Sequence, residues 1–586
     1  MSDLALPFAP DAQDTRARTR SRKRPQTPLD LGAPDKFARW RPSQYEAVRK
    51  AFTSFQHARF CALALPTGSG KSLTAIAIAL SKGWRVCYLT STKGLQDQLL
   101  ADFASIGLID VRGQSNYECV EADAPKAGED AVTVDHGHCQ FGGHCKRRPV
   151  MKGAAVIEIP PPGVSWCAHY AAIRDANNAQ LVVTNYAFWL HSQSRKTLGT
   201  FDLLVLDEAH DSVDQLSSFL SFDFTPWELE RTLRVTGSNS HAPLSDDIEE
   251  WIAWAREKEQ ALTVESERFK NMISAGKRDR GTLRQARECK AALRKIEKLA
   301  KASTSAWACE RVMQRKDARA LARVEFNIIF PHEHAQALFL DCPRVLLMSA
   351  TLRPMTLDLL GIDREDASFH EFAHTFPIEH RRVLHIPTVR LRASASEAEL
   401  MQWVSRIDQI ISKRLDRKGI VHTTSYARAR FLMRRSRYRS SMITHATRDA
   451  RDVIARFKAQ TRPGVLVSPS VTTGFDFPGS ECEYQIIGKI PFVDMRPKIM
   501  IARKQQWPEY GMYLAAQTIV QAAGRGVRYE ADKCECFIVD DQALWFMKKF
   551  AHLMPQWFNE SVELEAKLPK QAPESLLQQE MAHERV

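Results

Sequence analysis

The features that most constrain this chain are a glycine-rich loop ending in Lys-Ser and a later apolar run ending in two acids. The loop reads Leu-Pro-Thr-Gly-Ser-Gly-Lys-Ser over 65–72, and the apolar run ends in Asp-Glu-Ala-His over 207–210. Glycines in such a loop allow backbone N–H groups to point at phosphate oxygens. A buried strand that ends in carboxylates delivers them to the carboxyl edge of a parallel sheet. Together the two segments predict a nucleoside triphosphatase site in an α/β fold.

Each polar residue of these segments has a predicted role. Lys71 would reach the β- and γ-phosphates, while the Ser72 hydroxyl and the Asp207 carboxylate would hold Mg²⁺. Glu208 would orient or deprotonate the attacking water. Leu65 departs from the general loop pattern, which has a glycine at that position. The rest of the loop would bind the nucleotide phosphates: Thr67, Gly68, Ser69 and Gly70.

A basic motif near the far end of the chain indicates how the site is completed. Gln521 opens a Gln-Ala-Ala-Gly-Arg-Gly-Val-Arg segment in which Arg525 and Arg528 are three positions apart. We expect a helix to place both arginines on one face. An arginine brought to the γ-phosphate stabilises the charge of the transition state and accelerates hydrolysis by several powers of ten. The motif therefore predicts a second domain that closes on the nucleotide of the first and binds it through Gln521.

The complete set of motifs resembles that of superfamily two helicases, and specifically their DinG-like and XPD-like branch. The resemblance covers roughly residues 40–545, and Leu65 fits this branch, which has an apolar residue there. It implies that ATP is the nucleotide, with Gln44 reading the adenine and Arg41 nearby. The motifs that carry the resemblance besides those already given lie at 89–98, 111–119, 183–186, 348–352, 421–426 and 468–479.

The resemblance also implies an activity. Two RecA-like lobes would share ATP and Mg²⁺ and pull on single-stranded DNA from 5′ to 3′, acting on forked or displaced-strand DNA as a DNA-repair helicase would. Thr473, Gly474 and Asp476 would contact the DNA backbone and couple it to the γ-phosphate. Two alternatives stay open: an ATP-switched nucleic-acid-binding protein without strand separation, and a CRISPR-, phage- or plasmid-associated helicase with a specialised partner.

Four cysteines mark a segment, 116–170, in which the alternation of helix-like and strand-like stretches breaks down. A segment with so little apolar periodicity needs something to hold it together, and a metal centre would do so. Cys119, Cys139, Cys145 and Cys167 could bind a [4Fe–4S] cluster or one zinc ion, or remain free thiols in a vestigial loop. Histidines close to these cysteines in the sequence leave zinc, or a mixed ligand set, as alternatives. The resemblance implies iron–sulfur, since Cys119 stands where the family has its first cluster ligand.

The stretch 216–335 is densely charged and helix-like, and the family carries an all-helical arch there that closes over single-stranded DNA. Its basic residues would form either a DNA-facing surface or an ordinary solvated face: Arg284, Arg287, Arg294, Lys295 and Lys298. The predicted division of the chain is a disordered basic tail (1–40), lobe 1 (41–115, 171–215 and 336–375), the iron–sulfur insertion (116–170), the helical arch (216–335), lobe 2 (376–550) and a C-terminal extension (551–586).

Composition agrees with these predictions. The formal net charge of +13 favours a polyanionic partner such as DNA. No apolar run reaches the length of a membrane span, and the first residues do not resemble a signal peptide. We therefore expect a cytoplasmic protein whose 12 cysteines are thiols or metal ligands rather than disulfides.

Overall fold

The structure is a computed structural model that describes residues 27–121, 131–193, 196–236, 241–314, 320–469 and 475–568. The arginine cluster at 16–24 of the predicted tail lies outside these residues. The described part of that tail is folded: Leu29–Leu31 and Asp35–Phe37 form short 3₁₀ helices. Phe37 stacks on Phe103 with ring centroids 5.1 Å apart, so this segment packs on lobe 1 through its apolar side chains.

The first part of lobe 1 alternates helices and strands. Its elements are α1 (Gln44–Ser54), β1 (Phe60–Ala64), α2 (Lys71–Lys82), β2 (Val86–Thr90), α3 (Lys93–Phe103) and β3 (Leu108–Asp110). Every residue of β1 and β2 is buried, as expected of parallel strands that are covered by helices on both faces. Helix α2 lies between two left-handed glycines, Gly70 and Gly83, which allow the sharp turns at its ends.

The cysteine-containing insertion has little regular structure. An antiparallel pair, β4 (Val150–Lys152) and β5 (Ala155–Glu158), is accompanied by single 3₁₀ turns. Lobe 1 then resumes with α4 (Ala168–Asn178), β6 (Leu181–Asn185), α5 (Tyr186–Gln193), β7 (Leu203–Asp207) and α6 (Ser212–Leu220).

The arch region contains helices and strands. Its elements are β8 (Phe222–Phe224), α7 (Pro226–Thr236), α8 (Ile248–Ser274), α9 (Arg280–Ala300), β9 (Trp307–Met313) and β10 (Leu321–Ile328). The three strands form an antiparallel sheet in the order β8-β10-β9, so the prediction of an all-helical arch is wrong. The physical reason is the alternation in β10, where Val324, Phe326 and Ile328 are buried while the residues between them are not.

Two residues of the predicted basic face of α9 point into the arch. The Lys295 Nζ atom lies 2.7 Å from Glu228 Oε1, and Lys298 Nζ donates to the Phe219 carbonyl at 2.9 Å. Burial lowers the pKa of Lys298 to about 8. Lys295 therefore binds within the arch and Lys298 binds helix α6 of lobe 1, so neither lysine lines an outer basic surface.

Lobe 1 is completed by α10 (Gln336–Phe339), β11 (Val345–Ser349), α11 (Pro354–Leu359) and β12 (Ala367–Glu371). Its seven strands run parallel in the order β12-β1-β11-β7-β2-β6-β3. Strand β11 thus lies between β1, which leads into the glycine-rich loop, and β7, which leads into the acidic pair.

Lobe 2 is a second parallel sheet. Its elements are β13 (Val383–His385), α12 (Glu397–Ile411), β14 (Lys418–His422), α13 (Tyr426–Arg435), β15 (Met442–Thr444), α14 (Ala450–Ala459), β16 (Gly464–Ser468), β17 (Tyr484–Ile487), α15 (Lys498–Gln506), α16 (Tyr510–Ala523), β18 (Glu535–Ile538), α17 (Gln542–Lys549), α18 (Gln556–Asn559) and β19 (Val562–Glu563). The strand order is β15-β16-β14-β17-β18-β13-β19. Two parallel seven-stranded sheets with helices confirm the predicted α/β fold class.

The second lobe extends beyond the predicted boundary at 550. Strand β19 pairs with β13, and Trp557 and Phe558 are 5% and 1% exposed. Because the last residues are polar in composition, the sequence did not indicate that these two aromatic side chains would be buried. None of the helices that the structure describes is long and apolar enough to cross a bilayer.

We predict that Trp557→Ala destabilises the protein by about 3–5 kcal/mol, because it leaves a large cavity under the end of lobe 2. Trp545, which is 43% exposed, provides the matched control, and Trp545→Ala should change stability much less. Urea unfolding followed by circular dichroism measures both. Equal effects of the two substitutions would contradict the assignment of the C-terminal segment to lobe 2.

Candidate functional site

The glycine-rich loop between β1 and α2 is held by two side chains that precede it in the sequence. Gln44 Nε2 donates to the Gly70 carbonyl at 2.9 Å, and Gln44 Oε1 accepts from the Arg41 backbone N–H at 2.6 Å. Arg41 Nη1 donates to the Gly68 carbonyl at 2.5 Å. A Cβ on Gly70 would lie 2.0 Å from Gln44 Nε2, so only glycine fits there. Both polar atoms of the Gln44 amide, which the resemblance assigned to adenine, thus bind the protein itself.

The acidic pair lies at the carboxyl end of β7. Asp207 is 5% exposed, and Glu208 has a left-handed backbone with φ of 46°, which is uncommon for a residue other than glycine. Such strain is typical of functional positions, because the fold must hold the residue in place. Lys71 Nζ lies 3.4 Å from Glu208 Oε1, so the loop and the acidic pair are in direct contact as the sequence predicted.

The two carboxylates differ in electrostatic environment. Burial raises the pKa of Asp207, and the neighbouring charge of Glu208 raises it further. Burial acts in the same direction on Glu208, but nearby positive charges outweigh it and lower the pKa of Glu208. These charges come from Lys71, His210, Arg528 and Arg525. Glu208 is therefore stabilised as an anion by both lobes, whereas the Lys71 charge does not offset the burial of Asp207.

Two buried polar atoms of the site, Ser69 Oγ and Arg528 Nε, have no hydrogen-bond partner among the described residues. The buried Tyr88 side chain interacts with both Ser72 and Asp207, which places these two predicted Mg²⁺ ligands in one neighbourhood. Buried polar groups are normally satisfied. A phosphate group with a divalent cation would supply both the missing acceptors and the missing positive charge, so the residues present fit a bound nucleotide.

The basic motif of lobe 2 reaches the site in a different way from the one predicted. Helix α16 ends at Ala523, and Gly524–Gly526 form a 3₁₀ turn, so Arg525 and Arg528 do not share a helical face. A Cβ on Gly526 would lie 2.3 Å from Cys534 Sγ, so the chain turns where only glycine can pack. Arg525 Nη1 nevertheless lies 2.9 Å from Asp476 Oδ1, and Arg528 binds the same carboxylate oxygen. One acid therefore holds both arginines.

The two lobes touch at the glycine-rich loop itself. A Cβ on Gly68 would lie 2.7 Å from the Arg528 carbonyl oxygen and 2.7 Å from Phe376 Cζ. A Cβ on Gly524 would contact the Thr67 side chain at 3.4 Å. No sequence motif marks Phe376, which lies between the last strand of lobe 1 and the first strand of lobe 2. The structure thus adds an interlobe contact that sequence reasoning missed.

His210 connects three motifs through hydrogen bonds. Its Nδ1 atom lies 2.6 Å from Ser349 Oγ, which donates to Glu208 Oε2 at 3.2 Å. The Gln521 side-chain amide of lobe 2 contacts His210 Nε2. Burial opposes protonation of His210, but Asp211 and Glu208 outweigh it and raise its pKa. Gln521, which was predicted to bind the nucleotide, therefore meets the acidic segment through His210. Ser349 lies in the motif at 348–352, which could have indicated its role.

Two of the predicted DNA-contacting residues, Thr473 and Gly474, lie outside the described residues. The third, Asp476, is described, and its carboxylate faces the two arginines of lobe 2. Its side chain is 49% exposed, so it remains accessible from the cleft.

The four cysteines of the insertion are partly exposed, whereas the other eight of the chain are buried. Cys119 Sγ and Cys139 Sγ lie 3.1 and 3.8 Å from the point that a Cβ on Gly137 would occupy, so both thiols pack against this glycine. Burial, together with the Cys145 and Cys119 thiols, raises the pKa of Cys139 to about 11. The pKa of Cys167 is raised by burial and by the same two thiols.

No three His, Cys, Asp or Glu side chains within the described ranges come close enough together to hold one metal ion. The four thiols therefore share one electrostatic neighbourhood without forming a ready-made site for a single ion. A tetrahedral zinc ion needs four ligands at about 2.0–2.3 Å. A donor set of four thiols suits either a zinc ion or a [4Fe–4S] cluster. The four-cysteine centre stays a prediction.

Comparisons with known proteins show that both lobes are similar to helicase-related families. Residues 409–561 match the family described as helicase C-terminal domain, and residues 37–228 match the family described as type III restriction enzyme, res subunit. The chain is 26% identical over 239 residues to the 3′-5′ exonuclease DinG of Staphylococcus epidermidis. This alignment covers 35% of the chain and 26% of the relative, so the chain spans about a quarter of that protein's length.

Solved structures share the fold. An XPD helicase structure is similar with a TM-score of 0.59 at 14% identity, covering 90% of this chain and 99% of that one. The Xpd4 structure from S. tokodaii is similar with a TM-score of 0.56 at 13% identity, covering 90% of this chain and 100% of that one. The two domain matches and the DinG relative agree with this shared fold, so the chain is similar to DinG-like and XPD-like helicases of superfamily two.

Proposed function

We propose that the chain is an ATP-dependent DNA helicase that moves along single-stranded DNA from 5′ to 3′. The observation that carries the proposal is the electrostatic environment of Glu208, whose pKa is lowered by Lys71 of lobe 1 and by Arg525 and Arg528 of lobe 2. The site has its full set of positive charges only when the lobes meet. An ATP site that is assembled in this way converts nucleotide turnover into lobe movement.

Lobe 1 supplies the groups that bind ATP and the water molecule. Lys71 and the loop backbone bind the phosphates, while Ser72 and Asp207 hold Mg²⁺. Glu208 orients the attacking water, because a carboxylate with a lowered pKa is a weak base but a good hydrogen-bond acceptor. The raised pKa of Asp207 suits a ligand whose charge is compensated when the divalent cation arrives.

Lobe 2 supplies the charge that stabilises the transition state. Asp476 binds both Arg525 and Arg528. The γ-phosphate carries more negative charge and more acceptor oxygens than one carboxylate, so it competes for the same guanidinium groups. Exchange between Asp476 and the γ-phosphate would make the position of lobe 2 depend on the nucleotide.

The strand itself would cross both lobes and pass between the insertion and the arch. Phosphate contacts and base stacking hold single-stranded DNA in such a path, and Thr473 and Gly474 would contribute backbone contacts. The insertion and the arch touch one another, which supports a closed path. Phe141 of the insertion packs in the hydrophobic core of the arch. Ser274 Oγ donates to the Gly142 carbonyl at 2.9 Å, and Lys290 Nζ donates to the Gln140 carbonyl at 2.7 Å.

Cys119, Cys139, Cys145 and Cys167 would hold a [4Fe–4S] cluster. The four-thiol donor set supports this assignment, and the position of Cys119, where the family has its first cluster ligand, favours iron–sulfur over zinc. When bound, such a cluster supplies cross-links between chain segments that have little apolar core of their own. The contact between Phe141 and the arch lies two residues after Cys139, so order in the insertion would also position the arch.

The proposed function predicts strand separation that depends on the polarity of the DNA tail. Purified protein should unwind a duplex with a 5′ single-stranded tail in the presence of ATP and Mg²⁺, and single-stranded DNA should stimulate its ATPase activity more than duplex does. ATPase stimulation without unwinding would favour an ATP-switched binding protein. Unwinding of only 3′-tailed duplexes would contradict the direction while leaving the ATP site in place.

Substitutions in the two lobes test the shared site. Lys71→Ala should abolish ATP hydrolysis, and Arg528→Ala should reduce kcat by roughly 10³ or more because charge stabilisation of the transition state is lost. Single-stranded DNA binding should remain largely intact in both variants, because the DNA path is separate from the phosphate loop. Arg496, which is exposed and paired with Asp494, provides the control, and Arg496→Ala should retain full ATPase activity. Substantial hydrolysis by either of the first two variants would refute the site assignment.

Cysteine substitutions test the cluster. Freshly purified protein should be brown, and Cys145→Ser should lose both the visible absorption and unwinding while part of the DNA-stimulated ATPase activity persists. The control is Cys309→Ala, which removes a buried arch cysteine and should leave the absorption unchanged. Iron and zinc analysis of the same samples decides the metal. A colourless protein with stoichiometric zinc would replace the cluster with a zinc site.

The pKa of Asp207 predicts a pH-dependent requirement for Mg²⁺. Because burial and Glu208 raise this pKa, Asp207 becomes protonated at a higher pH than an ordinary aspartate does. Below that pH, Mg²⁺ must displace a proton in order to bind. The Mg²⁺ concentration for half-maximal ATPase activity should rise by about tenfold between about pH 8 and about pH 6. Glu208, with its lowered pKa, stays ionised over this range. An unchanged Mg²⁺ requirement would argue against Asp207 as the ligand.

A further inference from the structure

Lobe 2 carries a segment of strongly biased charge whose arginines lie outside the helicase motifs. Residues 417–448 contain no acidic residue, and six arginines fall between 428 and 439. The formal net charge of the whole chain is +13, so this short segment holds a large part of the excess. Blocks of like charge on a folded element repel one another and favour bound counter-anions.

The structure places five of these arginines on α13 and the turn after it. We call them the arginine patch: Arg430, Arg434, Arg435, Arg437 and Arg439, all of them exposed. Arg435 Nη2 lies 2.5 Å from Glu397 Oε1. The other four form no ion pair with any residue that the structure describes. Four exposed guanidinium groups are therefore available to an external anion.

The backbone of the arginine patch is held from beneath by a buried acid. Asp408 of α12, which is 8% exposed, accepts from Ser436 Oγ at 2.5 Å and from the Arg437 backbone N–H at 3.0 Å. Ser436 Oγ in turn accepts from the Tyr438 backbone N–H at 3.0 Å. Leu432 is fully buried in the core of lobe 2. The arginines thus project from a fixed turn, which reduces the entropy lost when they bind a ligand.

The arginine patch lies away from the ATP cleft. Helix α13 begins after Ser425, at the carboxyl end of β14, and the patch is on its far half and the turn beyond. The next strand, β15, is the outer strand of the sheet. The glycine-rich loop and the acidic pair follow the carboxyl ends of strands of lobe 1, where the motif arginines also meet them. The patch therefore belongs to another surface, at the edge of lobe 2.

The chemistry of this surface fits phosphate groups rather than bases. Guanidinium groups bind phosphate oxygens with two parallel hydrogen bonds. Single-stranded DNA is usually held by stacking on aromatic side chains as well. Tyr426, Phe431 and Tyr438 of this region are only partly exposed, and Phe431 and Tyr438 pack against the core. A surface of fixed arginines without an exposed aromatic side chain matches sequence-independent contact with a duplex backbone.

We propose that the arginine patch binds the phosphate backbone of double-stranded DNA, as a second nucleic-acid surface separate from the single-strand path. The identity of the polyanion as DNA rests on the proposed function. The patch holds the duplex part of a tailed substrate against lobe 2 while the single strand engages the cleft. This contact adds affinity for tailed duplexes and makes that affinity strongly dependent on salt.

The test is the triple variant Arg434→Gln, Arg437→Gln and Arg439→Gln, assayed by fluorescence anisotropy with a blunt labelled duplex over a range of salt concentrations. Duplex affinity should fall about tenfold or more at low salt, and the slope of log K against log salt should decrease in magnitude by about two to three. The kcat of ATP hydrolysis with saturating single-stranded DNA should not change. Circular dichroism melting of each variant shows that the fold is retained.

The matched control removes the same charge from other exposed positions of lobe 2, through Lys504→Gln, Lys548→Gln and Lys549→Gln. An equal loss of duplex affinity in the control would overturn the proposal, because net charge alone would explain it. Unchanged affinity and slope in the triple variant would also overturn it. Loss of binding to polyglutamate with duplex binding retained would assign the patch to an acidic protein instead. Absence of DNA-stimulated ATPase activity in the unmodified chain would refute the proposed function, yet the duplex measurement would still stand.

Discussion

The structure depends on the two adjacent carboxylates at the end of β7. Burying two acids side by side is unfavourable unless positive charges compensate them. Lys71 of lobe 1 does so in part, at 3.4 Å from Glu208, and Arg525 and Arg528 of lobe 2 add to it. The electrostatic balance of the acidic pair is therefore shared between the lobes. Any change in the anions within the cleft must alter how strongly the lobes attract one another.

Contacts far from the cleft extend this dependence to the arch. Arg503 of α15 is 4% exposed and donates to the Ile329 carbonyl at 3.0 Å and to Ser217 Oγ at 2.9 Å. Lobe 2 is thus bound to the end of an arch strand and to a helix of lobe 1. The arch in turn contacts the cysteine insertion through Phe141. A movement of lobe 2 would consequently be transmitted to both the arch and the cysteine insertion.

Sequence reasoning predicted the parts that local patterns determine. The loop, the acidic pair and the buried apolar run that forms β7 followed from motifs. Sequence reasoning failed where tertiary packing determines the local structure. Gly524 and Gly526 end a helix that was expected to carry both arginines, and the alternation in β10 was overlooked beside long charged helices. Phe376 contacts the loop from the interlobe segment, and no local pattern shows which segment will pass there.

The most direct test of the shared site is a crystal structure with Mg²⁺ and a non-hydrolysable ATP analogue. The account predicts that Arg525 and Arg528 leave Asp476 and contact the γ-phosphate, that Lys71 leaves Glu208 for the phosphates, and that Ser72 and Asp207 bind the metal. A nucleotide bound in the loop while both arginines stay on Asp476 would contradict it. So would a nucleotide bound elsewhere in the chain.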